Sequence, residues 1–164
     1  EETGVSVRKD LWSPQITLGV AVSIPDDYVA DLGLRLGLYR RLSNIGSSVE
    51  IEEFASELID RFGSLPKSVK NLLKVMEIKN LCRIAGVEKV DAGTGGASVV
   101  LRGSRFANPL ALVGYIQRHP TSVKLRPDQS LVFRAKWPMP DHRLDGVFKI
   151  AQELADLATR EEAA

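Results

Sequence analysis

The sequence predicts an α+β fold: three N-terminal helices, then a small, mainly antiparallel sheet of hairpins and a long C-terminal helix. Apolar residues recur at helical spacing through residues 31–85, in three segments that are followed by Gly46, Gly63 and Gly86. Short runs of β-type residues, separated by turn residues, then follow between residues 87 and 134. Helices followed by hairpins, without regular βαβ alternation, favour the α+β class.

Local signals predict where the three helices begin and end. The first is expected over residues 31–45 with Asp31 as N-cap, and the third over residues 66–85. In the second helix, Ser47 and Glu50 have the spacing of a capping box. Its predicted apolar stripe consists of Ile51, Phe54, Ala55, Leu58, Ile59 and Phe62.

The β elements are predicted from alternation and turn residues. Residues 16–24 alternate apolar with small or polar side chains, as in a strand with one buried face. Two hairpins are expected, one over residues 87–101 turning at 93–96, and one over residues 123–133. Asn108 and Pro109 should cap and start a short helix. A final helix should begin near Asp141, with an inward face that consists of Leu144, Val147, Phe148, Ala151, Leu154, Ala155 and Ala158.

Length and composition indicate one globular domain. We expect residues 1–15 to be a connecting arm from a preceding domain and residues 16–164 to be a single α+β regulatory domain. The chain begins with Glu1 and not Met, which we interpret as a piece of a longer protein. With 44% hydrophobic residues, disorder of the whole chain is excluded, and one cysteine cannot form an internal disulfide. No apolar run approaches the roughly 20 residues that span a bilayer.

Charge is distributed unevenly although the net charge is only +1. Acids exceed bases in residues 1–65 and 141–164, whereas bases exceed acids in residues 66–140. The net charge of the whole chain excludes a surface that is basic all round, as in strongly basic nucleic-acid-binding proteins. Two interpretations of the segments remain open: solvated helix faces that neutralise one another, or surfaces for charged partners.

Nothing in the sequence predicts a catalytic, metal or cofactor site. The glycines of residues 93–96 are followed by a strand, whereas a phosphate-binding loop needs a helix N-terminus after it. His119 and His142 lack ligand or triad partners at suitable spacing, and Cys82 lies on an apolar helix face. We therefore interpret both histidines as surface or capping residues and Cys82 as a buried, inert thiol.

The acids of the second helix are the main candidate site. Glu53, Glu57 and Asp60 lie opposite the apolar stripe, and Arg61 follows Glu57 by four residues. We expect these side chains to face water, where ordinary pKa values make them poor acid–base catalysts. They could form an acidic surface for a basic partner, or simply a solvated face.

An alternative function is nucleic-acid binding through residues 102–136. Seven bases are interspersed there with Phe106, Tyr115 and Phe133, and Trp137 follows the last of them. Mixed basic and aromatic side chains are typical of surfaces that bind single strands. The bases are Arg102, Arg105, Arg118, Lys124, Arg126, Arg134 and Lys136.

Two segments carry a family resemblance. Residues 34–43 read LRLGLYRRLS and residues 57–66 read ELIDRFGSLP. Together with IPDDYV at 24–29, they resemble the C-terminal domain of the bacterial transcription-repair coupling factors, the Mfd family. The resemblance covers about residues 12–160, and its specific motifs lie within 24–66. Residues 46–49 depart from the family pattern. The resemblance therefore gives only a weak match of Glu50, Glu52 and Glu53 to positions of the family.

The resemblance implies a regulatory role in DNA repair. Family members are cytoplasmic, ATP-driven translocases on double-stranded DNA that remove stalled RNA polymerase and recruit UvrA for nucleotide excision repair. Their C-terminal domain docks on an N-terminal UvrB-like module and masks the surface that UvrA needs. By this resemblance the fragment is not an enzyme and takes no cofactor, no metal, no membrane and no small-molecule substrate. The docking residues would be Glu57 and Asp60, helped by Arg61.

Overall fold

The structure, a computed structural model, describes residues 12–160 and has the predicted α+β architecture. Within that range the chain forms five α-helices and one five-stranded sheet. The elements are β1 Gln15–Thr17, α1 Leu32–Ser43, α2 Ser48–Phe62, α3 Lys67–Ala85, β2 Val87–Gly93, β3 Gly96–Leu101, α4 Pro109–Arg118, β4 Val123–Leu125, β5 Leu131–Arg134 and α5 Pro140–Thr159. A 3-10 turn, Arg102–Ser104, follows β3.

The sheet is mixed, with the order β1-β2-β3-β5-β4. Strands β2 to β5 pair antiparallel, which confirms both predicted hairpins, and β1 lies parallel to β2 with Ile16 opposite Val90. The turn between β2 and β3 needs a glycine at Gly96, where φ is +127°. A Cβ there would overlap the carbonyl oxygen of Phe133.

The strand predicted over residues 16–24 is wrong for most of its length. Only Gln15–Thr17 forms a strand, and the chain then leaves the sheet. The carbonyl oxygen of Leu18 accepts a hydrogen bond from Nε of Arg143 at 2.7 Å, and Gly19 adopts a left-handed φ of +70°. Because the Leu18 carbonyl is bound by a side chain and Gly19 has a positive φ, the backbone cannot continue the ladder of hydrogen bonds with β2.

Capping positions the helices as predicted, with small differences. Asp31 accepts from the backbone N–H of Leu34 at 3.0 Å, and the Ser47 hydroxyl accepts from that of Glu50 at 3.2 Å. Glu50 returns to the N–H of Gly46 at 3.0 Å, whereas a standard capping box would bind the Ser47 N–H. Helix α3 begins one residue after Pro66.

Two hydrophobic cores share helix α3. Val69, Leu73 and Met76 on its N-terminal half pack with α1 and α2, in what we call the helical core. Its C-terminal half packs in the sheet core, together with the sheet and α5, through Ile78, Cys82 and Ala85. The prediction for α5 holds at Leu144, Val147, Ala151, Leu154 and Ala155, while Ile150 and Leu157 are also buried and Phe148 and Ala158 only partly so.

Residues 1–11, most of the predicted connecting arm, lie outside the described residues, as do residues 161–164. The described part of that arm is anchored to the domain. Pro14 is fully buried, and the carbonyl oxygen of Trp12 accepts from Nε of Arg83 at 3.0 Å. Residues 12–15 therefore pack against the domain, and the boundary at residue 16 stays a prediction.

Candidate functional site

Helix α2 has an inner and an outer face, and the outer face is the candidate docking surface. Ile51, Phe54 and Leu58 are buried in the helical core. Ile59 is 48% exposed, so the predicted apolar stripe is too wide by this residue. Only the side of α2 that carries Ile51, Phe54 and Leu58 contacts the core, and the side chain of Ile59 lies outside that side. The α2 outer face consists of Val49, Glu52, Glu53, Ser56, Glu57, Asp60 and Arg61, which line a shallow depression of about 690 Å³.

The carboxylate of Glu57 is bound by two arginines of its own domain. Arg41 on α1 donates from Nη2 to Oε1 and from Nη1 to Oε2, both at 2.8 Å. Arg61 donates to Oε2, also at 2.8 Å, which confirms the predicted pairing at i, i+4. The Arg41 and Arg61 guanidinium groups also lie 5.0 Å from the ring centroids of Phe54 and Phe62. These contacts fix both guanidinium groups beside the carboxylate.

This network changes the electrostatics of Glu57. The two hydrogen bonds from Arg41, and next the single one from Arg61, lower the pKa of Glu57 from 4.5 to about 2. The side chain is still 35% exposed. The expectation of an ordinary pKa is therefore wrong for Glu57, because Arg41 approaches its carboxylate from a different helix.

Asp60 and Glu53 fit the prediction more closely. Both side chains are exposed on the α2 outer face. Neither forms an ion pair with any residue between 12 and 160. Val49, 62% exposed, adds an apolar contact at the start of the helix. The arrangement offers two exposed carboxylates at helix positions about 10 Å apart along the axis of α2.

The remaining candidates have structural environments. Cys82 is buried, and burial raises the pKa of its thiol to about 12, which suits an inert core residue. His119 caps the C-terminus of α4 and stacks on Tyr115 at 4.6 Å, and His142 is exposed in the first turn of α5. Among the described residues, no group of three or more His, Cys, Asp or Glu side chains is placed to hold a metal.

The predicted basic and aromatic surface is wrong in its aromatic part. Phe106, Tyr115 and Phe133 are buried in the sheet core, where they cannot stack on bases. The half-buried ring of Trp137 packs so closely on Gly146 that a Cβ there would overlap it. The seven basic side chains are exposed, and among the described residues only Arg102 lies over an aromatic ring, that of Trp12 at 4.6 Å. Without a row of exposed rings, the surface keeps mainly a non-specific attraction for phosphate.

Sequence reasoning missed Arg41, which organises the α2 outer face. Its only local signal was its place in the last turn of α1, where a cation complements the helix dipole. That signal does not specify a partner sixteen residues away. Only the approach of α1 to α2 brings the two charges together.

The fold and the outer face of α2 define the class: an α+β domain with a candidate protein-docking surface. The chain belongs to the TRCF domain family, whose model matches residues 18–112. No described helix is long and apolar enough to cross a bilayer.

Similar proteins are transcription-repair-coupling factors. That of Rickettsia bellii is 40% identical over 124 residues, covering 75% of this chain and 11% of the relative. That of Haemophilus influenzae is 34% identical over 147 residues, covering 90% and 11%, and that of Escherichia coli K12 is 29% identical over 152 residues, covering 92% and 13%. The chain thus spans about a tenth of the length of these relatives.

A solved structure has the same fold. The crystal structure of the C-terminal domain of a transcription-repair coupling factor matches with a TM-score of 0.72 at 20% identity. The match covers 92% of this chain and 96% of that one.

Proposed function

We propose that this chain is the C-terminal autoinhibitory domain of a transcription-repair coupling factor. In this proposal the parent is an ATP-driven translocase on double-stranded DNA that acts on stalled RNA polymerase in nucleotide excision repair. The domain docks on the N-terminal UvrB-like module of the same protein and masks the surface that binds UvrA. Family membership and the resemblance of residues 24–66 support the assignment.

The observation that carries the docking proposal is the exposed carboxylate of Asp60 beside the arginine-bound carboxylate of Glu57. Asp60 makes no ion pair within the described chain and is free to bind a basic side chain of the module. Oε1 of Glu57 accepts one hydrogen bond, from Arg41, and retains a lone pair for a second. Arg61, 42% exposed at its side chain, can donate to an acidic or carbonyl group of the module.

The test measures UvrA binding by the full-length parent. Glu57→Ala with Asp60→Ala should weaken docking and raise UvrA affinity by about tenfold or more, because desolvated charge pairs stabilise the closed state. Asp60→Lys alone should have the larger single effect, since Asp60 has no internal cation to retain. The matched control is Glu88→Ala, which removes an exposed acid from β2 and should leave UvrA affinity unchanged. Unchanged UvrA affinity in the double variant would contradict the docking proposal.

A further inference from the structure

A shallow pocket lies where the last strand of the sheet leads into helix α5. It has a volume of about 350 Å³, and its six lining residues come from the β5–α5 connection and the first turns of that helix. The lining consists of Lys136, Trp137, His142, Asp145, Gly146 and Lys149. We call it the Trp137 pocket. It shares no residue with the α2 outer face.

The fold holds the indole of Trp137 in place. The backbone N–H of this residue donates to the carbonyl oxygen of Thr94 at 2.8 Å, and its carbonyl oxygen accepts from Nη1 of Arg143 at 3.3 Å. The ring lies so close to Gly146 that a Cβ there would overlap it. A glycine in a helix interior destabilises the helix relative to alanine, and here it leaves the space that the ring occupies. The ring is therefore positioned before any ligand binds.

The indole N–H of Trp137 is an available donor. Its Nε1 makes no hydrogen bond with residues 12–160. Among the described residues that are not fully exposed, the only side-chain polar atom that is both buried and unbonded is Nδ2 of Asn80. Nε1 of Trp137 therefore remains accessible to solvent, at a ring that lines the pocket.

The charged side chains of the pocket favour an anion. Lys136 and Lys149 are exposed, and neither forms an ion pair with any residue between 12 and 160. The single acid of the lining, Asp145, already accepts from Nζ of Lys74 on α3 at 2.9 Å. His142 adds a ring nitrogen that can donate. An anion in the pocket thus meets two unpaired lysines and one carboxylate whose charge is offset from outside the pocket.

An indole beside two lysines suits a ligand that has both a flat ring and an anionic group. A nucleobase packs on aromatic side chains, and the phosphate attached to it is attracted by lysines. A carboxylate without a ring would leave the indole unused, whereas an uncharged ring would leave the lysines unused. A volume of about 350 Å³ is also in the usual range of small-molecule sites.

We propose that the Trp137 pocket binds a nucleoside phosphate, either as a free mononucleotide or as one nucleotide of a single strand. The base packs on the indole of Trp137, and the phosphate accepts from the ammonium groups of Lys136 and Lys149. This site is separate from the α2 outer face and goes beyond the proposed autoinhibitory docking.

The test is an NMR titration of the ¹⁵N-labelled chain with adenosine 5′-monophosphate. The readout is the indole N–H signal of Trp137, which the spectrum of Trp12→Phe assigns because the chain has two tryptophans. We expect a saturable shift of that signal. The affinity should be at least about tenfold higher than for adenosine or for inorganic phosphate, since each of these offers only one of the two groups that the pocket binds.

Lys149→Ala should lower the affinity for the nucleotide by about fivefold or more and make binding less dependent on salt. The matched control is Lys70→Ala, which removes an exposed helix lysine outside the pocket and should leave the affinity unchanged. Thermal unfolding checks that both variants are folded. No saturable shift at millimolar nucleotide overturns the proposal, as do equal losses in the two lysine variants. Equal affinity for inorganic phosphate also overturns it, since the pocket would then bind any small anion.

A titration with a single-stranded deoxyadenosine pentamer distinguishes the two sources of the ligand. If the pocket holds one nucleotide of a strand, the pentamer shifts the Trp137 signal at lower concentration than the mononucleotide, and Lys149→Ala removes this advantage. If it holds a free nucleotide, the pentamer binds no more tightly than the mononucleotide. Both results support the pocket, and each identifies one source.

Discussion

Arg41 on α1 and Glu57 on α2 form a two-point ion pair, with both nitrogen–oxygen distances at 2.8 Å. Arg61 binds the same carboxylate from one turn further along α2. Glu57, which lies in the segment that resembles the family, thus also braces two helices. A substitution of Glu57 changes the domain itself as well as its outer face, whereas a substitution of Asp60 changes only the outer face.

We first predict that Glu57→Gln destabilises the isolated domain modestly. Because the side chains of Arg41 and Glu57 are 49% and 35% exposed, solvent screening limits the loss to about 0.5–1 kcal/mol. Urea unfolding of the two single variants, Glu57→Gln and Arg41→Gln, and of the double variant isolates the pair. Additive losses in that cycle would show that the ion pair contributes nothing.

The same contact has a defined pH dependence. The folded-state pKa of Glu57, about 2, lies below its ordinary value of 4.5, so its contribution to stability is complete above about pH 4.5 and declines as the pH falls toward 2. The difference in free energy of unfolding between the natural chain and Glu57→Gln should therefore be constant from pH 7 to 5 and shrink below pH 4.5. A difference that grows on acidification would contradict the assigned direction of the pKa shift.

Gly96→Ala should destabilise the fold severely, by about 2 kcal/mol or more, since φ is +127° and the added Cβ meets the Phe133 carbonyl. Gly95→Ala is the matched control in the same turn, because a Cβ there has no heavy atom within 4 Å. Thermal unfolding of the two variants compares them directly. Equal melting temperatures would mean that the turn tolerates a side chain at residue 96.

Gly146→Ala tests the packing of Trp137 on α5. The added methyl group overlaps the indole ring, so the ring must move, with a loss of about 1–3 kcal/mol and altered tryptophan fluorescence. The control is Gly37→Ala in α1, where a Cβ meets nothing within 4 Å and helix propensity should raise stability by about 0.5–1 kcal/mol. An unchanged fluorescence spectrum in Gly146→Ala would contradict the close approach.

Neighbouring residues of α2 separate the buried face from its exposed edge. Leu58 is 0% exposed, and Leu58→Ala should cost about 2–5 kcal/mol of stability. Ile59→Ala removes a similar volume from a side chain that is 48% exposed and should cost less than about 1 kcal/mol. Chemical denaturation measures both. Similar losses would restore Ile59 to the apolar stripe that the helical spacing predicts.

Helix boundaries and turns were predictable because their causes are local. Asp31, Ser47 and Gly86 act on backbone groups within a few residues, so their effect can be read from neighbouring positions. The two hairpins and the N-cap of α4 at Asn108 follow for the same reason. Fold class depends mainly on this order of elements and was therefore predicted correctly.

The charge pattern of α2 was also visible in the sequence, because side chains three and four residues apart share a helix face. Its organisation was not. Arg41 neutralises Glu57 from another helix, and Arg143 ends the first strand by binding Leu18 from the far end of the chain. Nδ2 of Asn80 has no acceptor among the described residues, although its sequence context resembles that of Asn71, whose Nδ2 is bonded. The sequence by itself thus determined the elements and their faces. Tertiary packing decided which charges and donors stay available, because their partners come from distant segments that meet only in the folded chain.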